Sequence, residues 1–218
     1  MFRMISRFSA RLRAIAALAC VIGFASTACA VAAPVVLVVG DSVSAGYGLA
    51  NGQGWVNLLS RRLAETKSPF QVVNASISGD TTAGGRARLP ALLTQHKPAV
   101  VVLELGANDA LRGGDLGATR ANLDVMIAES RTAGAKVLLL GMKLPPNYGP
   151  AYVKHFESVF ADAASANKAP LVPFLFEGFG DDLDLFQPDR IHPTAAAQSK
   201  ILDNVWPALS AVLKQAQK

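Results

Sequence analysis

The sequence predicts an α/β fold, a three-layer sandwich with one five-stranded parallel sheet and helices on both faces. Three observations predict it. Val35-Val36-Leu37-Val38-Val39 is an apolar run with four β-branched side chains, the composition of a strand buried on both sides of a parallel sheet. Four more short apolar runs follow, separated by stretches with apolar residues at helical spacing; strands and helices in alternation imply right-handed crossovers and a parallel sheet covered on both faces. Finally, residues 31–218 are enough chain for one sizeable core, and no repeat, low-complexity tract or linker divides them.

The elements follow in order. The first strand stops at Gly40, where the freedom of glycine lets the chain turn sharply, and Asp41-Ser42 sits just beyond it. Ser44 to Gly54, with Tyr47 and Asn51-Gly52, reads as a loop of small residues. Trp55, Leu58, Leu59 and Leu63 recur at helical spacing, with Arg61, Arg62 and Glu65 on the other side. Phe70 to Asn74 is the second strand, and Ser78-Gly79-Asp80-Thr81-Thr82 is a turn ending in a helix cap. A helix over Leu89 to Gln95 tolerates Pro90 only near its start. Ala99 to Leu105 is the third strand, with Gly106-Ala107-Asn108-Asp109 past its end. A helix over Leu116 to Ala133 buries Leu123, Met126 and Ile127. Lys136 to Leu140 is the fourth strand and Leu144 to Gly149 a loop. A helix spans Tyr152 to Ala166, Leu171 to Phe174 is a short fifth strand, and Ala195 to Leu213 closes the chain as a helix.

Residues 1–30 read as a cleaved export signal outside this domain. Arg3, Arg7, Arg11 and Arg13 precede an apolar stretch from Ala14 to Ala25, and Ala28-Cys29-Ala30 has the small-x-small form of a cleavage site. The stretch is too short to span a bilayer and a strand follows it, so no stable membrane insertion is expected. Ser26-Thr27-Ala28-Cys29 partly matches a lipoprotein box, but Ser stands where a large aliphatic residue belongs; lipid anchoring through Cys29 is the weaker alternative. A periplasmic or secreted protein is the expectation.

The charge reading changes with the signal. The whole chain has 21 basic and 16 acidic residues, a net of +5. Loss of four arginines and no acids leaves a net of +1, with no block of five like charges, so no nucleic-acid partner is expected. Cys20 and Cys29 also leave, which removes disulfides, a thiol nucleophile and cysteine metal ligands from the mature chain. Asp181-Asp182-Leu183-Asp184 is not a calcium loop: the sixth position is no glycine, and His192 stands where the bidentate Glu belongs.

In a parallel sheet the strand ends lie side by side, and three of them carry groups with chemical potential: Ser42 after the first strand, Gly79 after the second and Asn108 after the third. Ser42 is a candidate nucleophile if a base and an oxyanion site are supplied. Gln187-Pro188-Asp189-Arg190-Ile191-His192-Pro193 can supply the base. A carboxylate three residues before a histidine can share one face of a turn with it, orient the imidazole and leave the other ring nitrogen for a hydroxyl. Singly, each has a plainer reading: Asp189 and His192 as helix caps, Gly79 as a turn glycine, Asn108 as a brace for its own loop. His96 and His155 sit among charged neighbours as solvated helix residues. The order Ser…Asp…His is that of the α/β-hydrolases, but Gly40-Asp41-Ser42-Val43-Ser44 lacks the final glycine of their G-x-S-x-G turn.

Together the four pieces resemble the sequence blocks of the SGNH (GDSL-type) hydrolases: Gly-Asp-Ser, the glycine after the second strand, Gly-x-Asn-Asp and Asp-x-x-His. The chain is most similar to that family's bacterial periplasmic thioesterase, lysophospholipase and arylesterase subgroup, along Gly40–Gly48, Asn74–Thr81, Ala87–His96, Glu104–Gly113 and Leu144–Gly149. Val43 departs from the family's usual Leu. The resemblance implies a flavodoxin-like sandwich and a serine hydrolase of carboxylic esters and thioesters. Its roles would be Ser42 as nucleophile, His192 as base and Asp189 as orienting acid. The oxyanion hole would come from the Ser42 and Gly79 N–H groups and the Asn108 side chain. It implies no metal and no organic cofactor, and a small-molecule acyl substrate or lysophospholipid as partner; a monomer is the expectation, though no residue pattern carries it. The small, weakly charged loops around Ser42 lead us to expect medium-chain acyl groups. Two rival expectations are a glycan acetyl-esterase and an inactive lipid- or carbohydrate-binding module on the same scaffold.

Overall fold

The computed structural model describes residues 33–217. The signal assigned to residues 1–30, with Cys20 and Cys29, lies outside the described residues. Five parallel strands, β1 (Val35–Gly40), β2 (Gln71–Asn74), β3 (Val100–Glu104), β4 (Lys136–Leu140) and β5 (Leu171–Val172), form one sheet in the order β2-β1-β3-β4-β5. The apolar run that opens the domain is therefore central, and Val36, Leu37, Val38 and Val39 are fully buried. β3 is buried along its whole length and apolar except for one charged side chain, Glu104, at its carboxyl end.

Helices cover both faces. α2 (Trp55–Glu65) and α7 (Gln198–Ala216) pack against each other on one side; α3 (Thr82–His96), α5 (Leu116–Thr132) and α6 (Pro150–Asn167) pack together on the other. Trp55, Leu59 and Leu63 of α2 are buried, as the spacing requires. Each large apolar side chain so enclosed contributes about 1.5–3 kcal/mol relative to exposure. Two single-turn helices, α1 (Ser42–Ala45) and α4 (Ala107–Leu111), start where β1 and β3 end.

Three expectations are corrected. The third helix starts at Thr82 rather than Leu89, with Pro90 in its interior. Pro90 and Arg86, whose carbonyl loses its partner there, both face solvent, so the missing bond is left to water. Gly84-Gly85 disguises this helix in the sequence, yet a Cβ at Gly85 would strike Leu105, so the glycine is a packing requirement. The fifth strand is only Leu171–Val172. The last helix starts at Gln198, after a 3₁₀ turn at Ala195–Ala197, and runs to Ala216. Among the described residues no helix is long and apolar enough to cross a membrane.

Candidate active site

The site is built at the carboxyl end of β1, between β2 and β3. Gly40 is still a strand residue, paired with Glu104, and its backbone is not left-handed. The conformational freedom of glycine, expected to matter here, is not used at this position. A Cβ there would lie 2.7 Å from Glu104 Oε2 and 2.8 Å from Ser44 Cβ, so glycine is needed for close approach. Asp41 caps the short α1, its Oδ1 accepting from the Val43 N–H at 3.0 Å. Gly46, at φ 77°, ends that turn. Ser42 is thus the first residue of a helix, with its N–H among those that have no acceptor inside the helix.

His192 reaches Ser42 from a loop before α7. Its Nε2 is 2.8 Å from Ser42 Oγ, and its Nδ1 is 2.7 Å from Asp189 Oδ2. An ionised carboxylate only accepts, so Nδ1 carries the proton and Nε2 is left to accept from the serine hydroxyl. Asp189 and His192 meet within a single turn, as their spacing allows. They belong to a tight turn in which Asp189 Oδ1 accepts from the N–H groups of Ile191 and His192, at 2.9 and 3.0 Å, with Arg190 left-handed at φ 57°. Burial pushes the Asp189 carboxyl up, but the His192 and Ile191 N–H groups and the His192 ring outweigh it and hold the carboxyl at about 2. The turn is tied down by an antiparallel bridge from Phe186 to Pro193 and by Gln187 Nε2, which donates to the carbonyls of Tyr47 and Pro193.

Gly79 and Asn108 flank this pair. Gly79 is left-handed at φ 79°, a shape that favours glycine, and among the described residues its N–H meets no protein acceptor. Arg112 donates to its carbonyl at 2.9 Å. Arg88 binds Asp80 at 2.8 Å and also donates to the carbonyl of Ala75, so the loop after β2 is held at both ends. Asn108 lies in α4, and its Nδ2 donates to Asp41 Oδ2 at 3.0 Å. The next residue, Asp109, accepts from the Thr82 N–H at 2.9 Å and from the Thr82 hydroxyl. That contact locks the loop after β3 to the start of α3.

The structure brings Ser42, Asp189 and His192 together as one relay and places Gly79 and Asn108 on the strand ends beside it. His96 and His155 stand on helices α3 and α6, outside this constellation. Tyr47, Glu104 and Gln187 were not singled out from the sequence. The Tyr47 ring lies 4.5 Å from that of His192, tilted by 41°. Tyr47 was read only as a loop residue; its glycine neighbours, Gly46 and Gly48, gave the only hint of a loop held close to something. The signal for Glu104 was legible: a lone carboxylate ending an otherwise apolar strand.

The GDSL-like lipase/acylhydrolase family model matches residues 38–200. Esterase TesA of Pseudomonas aeruginosa is 55% identical over 182 residues, covering 84% of this chain and 90% of that protein. Thioesterase 1/protease 1/lysophospholipase L1 of Escherichia coli K12 is 42% identical over 174 residues, 80% of this chain and 82% of that one. The crystal structure of psychrotrophic esterase EstA from Pseudoalteromonas sp., inhibited by monoethylphosphonate, matches with a TM-score of 0.79 at 39% identity, covering 83% of this chain and 98% of that one. On the match of residues 38–200, spanning all five strands save the first three residues of β1 and reaching into the last helix, the chain belongs to the GDSL-like lipase/acylhydrolase family.

Proposed function

We propose that this protein hydrolyses carboxylic esters and thioesters of medium-chain acyl groups through an acyl-enzyme on Ser42. The observation that carries the proposal is the continuous relay Ser42 Oγ, His192 Nε2, His192 Nδ1, Asp189 Oδ2, with both links under 3 Å. His192 takes the hydroxyl proton as Oγ bonds to the acyl carbonyl carbon. The negative carbonyl oxygen is received by the N–H groups of Ser42 and Gly79 and the Asn108 amide. The tetrahedral intermediate collapses, its C–O or C–S bond breaks, and His192 returns the proton to the departing alcohol or thiol. Water, deprotonated by His192, then releases the acid and restores Ser42. No step uses a metal or an organic cofactor.

The acyl preference rests on the walls. Tyr47, Ile77 and Ile191 are exposed apolar side chains. Tyr47 lies against His192, Ile191 precedes it, and the Ile77 N–H bonds the Gly40 carbonyl beside the nucleophile. Tyr148, after β4, and Tyr152 of α6 donate to the carbonyls of Leu111 and Ala110, tying that region to the end of α4. The relatives named esterase and thioesterase support the same class of substrate. Each methylene buried along such walls is worth about 0.8 kcal/mol, nearly fourfold in affinity. We therefore expect kcat/KM on p-nitrophenyl esters and acyl-CoAs to rise with chain length and then level off. A maximum at acetyl would replace this reading with an acetyl-esterase.

The export reading belongs to the same proposal. Intact mass of protein recovered from the periplasm or medium is expected to correspond to a chain starting near Val31, acting as a monomer. Retention of residues 1–30 would overturn the export reading, and a diacylglycerol on Cys29 would replace it with lipid anchoring.

A further inference from the structure

Two carboxyl groups behind Ser42 take no part in the proton relay. Asp41 is 1% exposed and Glu104 is 0% exposed. The Glu104 carboxyl reaches the turn that carries Asp41: its Oε2 accepts from the Asp41 backbone N–H at 3.3 Å and from the Ser44 hydroxyl at 2.7 Å. The Ser44 hydroxyl in turn accepts from Trp55 Nε1, which can only donate, at 3.2 Å. Glu104 Oε1 is buried and has no hydrogen-bond partner among the described residues. An unpaired buried oxygen is far less costly on a neutral acid than on a carboxylate. Burial first, and the nearby Asp41 charge second, push the Glu104 carboxyl well above the ordinary range.

Asp41 is differently placed. Its Oδ1 accepts from the Val43 N–H and its Oδ2 from Asn108 Nδ2 at 3.0 Å. Burial pushes its carboxyl up to about 6, against the lowering effects of the Val43 N–H, His192 and Asn108, with Asp80 adding to the rise. The charged groups around it are His192, Asp80, Glu104 and Arg88, which binds Asp80 and approaches the Gly40 carbonyl at 3.4 Å. Asp41, with an N–H donor on each carboxylate oxygen, is the better placed of the two to carry negative charge, and Glu104, with one buried oxygen unpartnered among the described residues, the better placed to be neutral.

An asparagine amide can turn over and exchange its NH₂ for its carbonyl oxygen. The exchanged form would aim an acceptor at a developing oxyanion and repel it. A carboxylate only accepts, so a charged Asp41 admits only the form with NH₂ toward itself. We propose that Asp41 is a positioning residue: its carboxylate holds the Asn108 amide with one N–H on Asp41 and the other free for the oxyanion, while Glu104, as a neutral acid, braces the turn from behind. This rests on the hydrolase reading above and deepens it.

Asp41→Asn is the test, because one amide oxygen cannot serve both the Val43 N–H and Asn108. In the full chain acting on a p-nitrophenyl ester, kcat is expected to fall by roughly 10–100-fold, part of the loss from deleting an oxyanion donor, with KM changed little. The wild-type acid limb of log kcat against pH is expected to include a step from protonation of Asp41, whose carboxyl burial pushes up to about 6. In Asp41→Asn that step should be absent. Infrared spectra at pH 8, where ordinary carboxyls are ionised, should show a protonated-acid carbonyl band that is lost in Glu104→Gln. An unchanged kcat in Asp41→Asn, a wild-type acid limb identical to that of Asp41→Asn, or no such band would overturn the proposal. Ser42→Ala run in parallel separates the two readings: if it stays active, the hydrolase reading fails; if it is inactive while Asp41→Asn retains full kcat, only the positioning role fails.

Discussion

Ser42→Ala is expected to lower kcat/KM on any accepted ester by about 10⁶, some 8 kcal/mol of transition-state stabilisation, without destabilising the fold. The size follows from the chemistry. Without Oγ no acyl-enzyme forms, and His192 Nε2 loses the hydroxyl it faces at 2.8 Å. What survives is the oxyanion hole and substrate binding acting on water. Stability should hold because Ser42 opens α1 and its backbone, not its hydroxyl, forms that turn. Alanine is also the better helix former. Because nucleophile and base act as a unit, His192→Ala should cost about as much, and the double variant no more than either alone. Kinetics at substrate saturation and thermal melting on the same preparations check both halves. A loss under tenfold in Ser42→Ala would remove Ser42 from the chemistry.

The parts of this site differ in how visible they are in the sequence, for physical reasons. Buried parallel strands need long β-branched runs, so β1 and β3 declare themselves, and Lys136–Leu140 has the bounds expected of it. Ser42, Gly79 and Asn108 converge because strand order puts β1 between β2 and β3. The expectation needed only that strand ends be neighbours. The helix at Thr82 was hidden because Gly84, Gly85 and Pro90 have poor intrinsic propensity, and tertiary packing against Leu105 overrides it. The Asp189–His192 spacing announces a shared turn but not its kind, because spacing alone cannot distinguish a helical turn from an aspartate-centred one. Tyr47 and Gln187 act through contacts 140 residues or more apart, Gln187 with Tyr47 and Tyr47 with His192, and no local pattern announces such pairs.

Asp189→Asn is expected to lower kcat by about 10⁴, about 5.5 kcal/mol, through the tautomer of His192 rather than through loss of the turn. In the native turn, Asp189 Oδ1 accepts from two backbone N–H groups and Oδ2 from the His192 ring. Asparagine has one oxygen. Keeping it on the two N–H groups preserves the turn and the left-handed Arg190, and leaves the amide NH₂ facing Nδ1. That nitrogen must then accept, so the ring proton moves to Nε2, and Ser42 faces a donor where it needs a base. Imidazole ¹⁵N shifts are expected to report the exchanged tautomer in the variant. Asp189→Ala removes the cap as well and should lower the melting temperature, which Asp189→Asn should not. Because the native carboxyl is held at about 2, Asp189 stays ionised above pH 4, and the acid limb of the native pH profile belongs to other groups. A native tautomer in Asp189→Asn with a loss under tenfold would reduce Asp189 to a brace for its own turn.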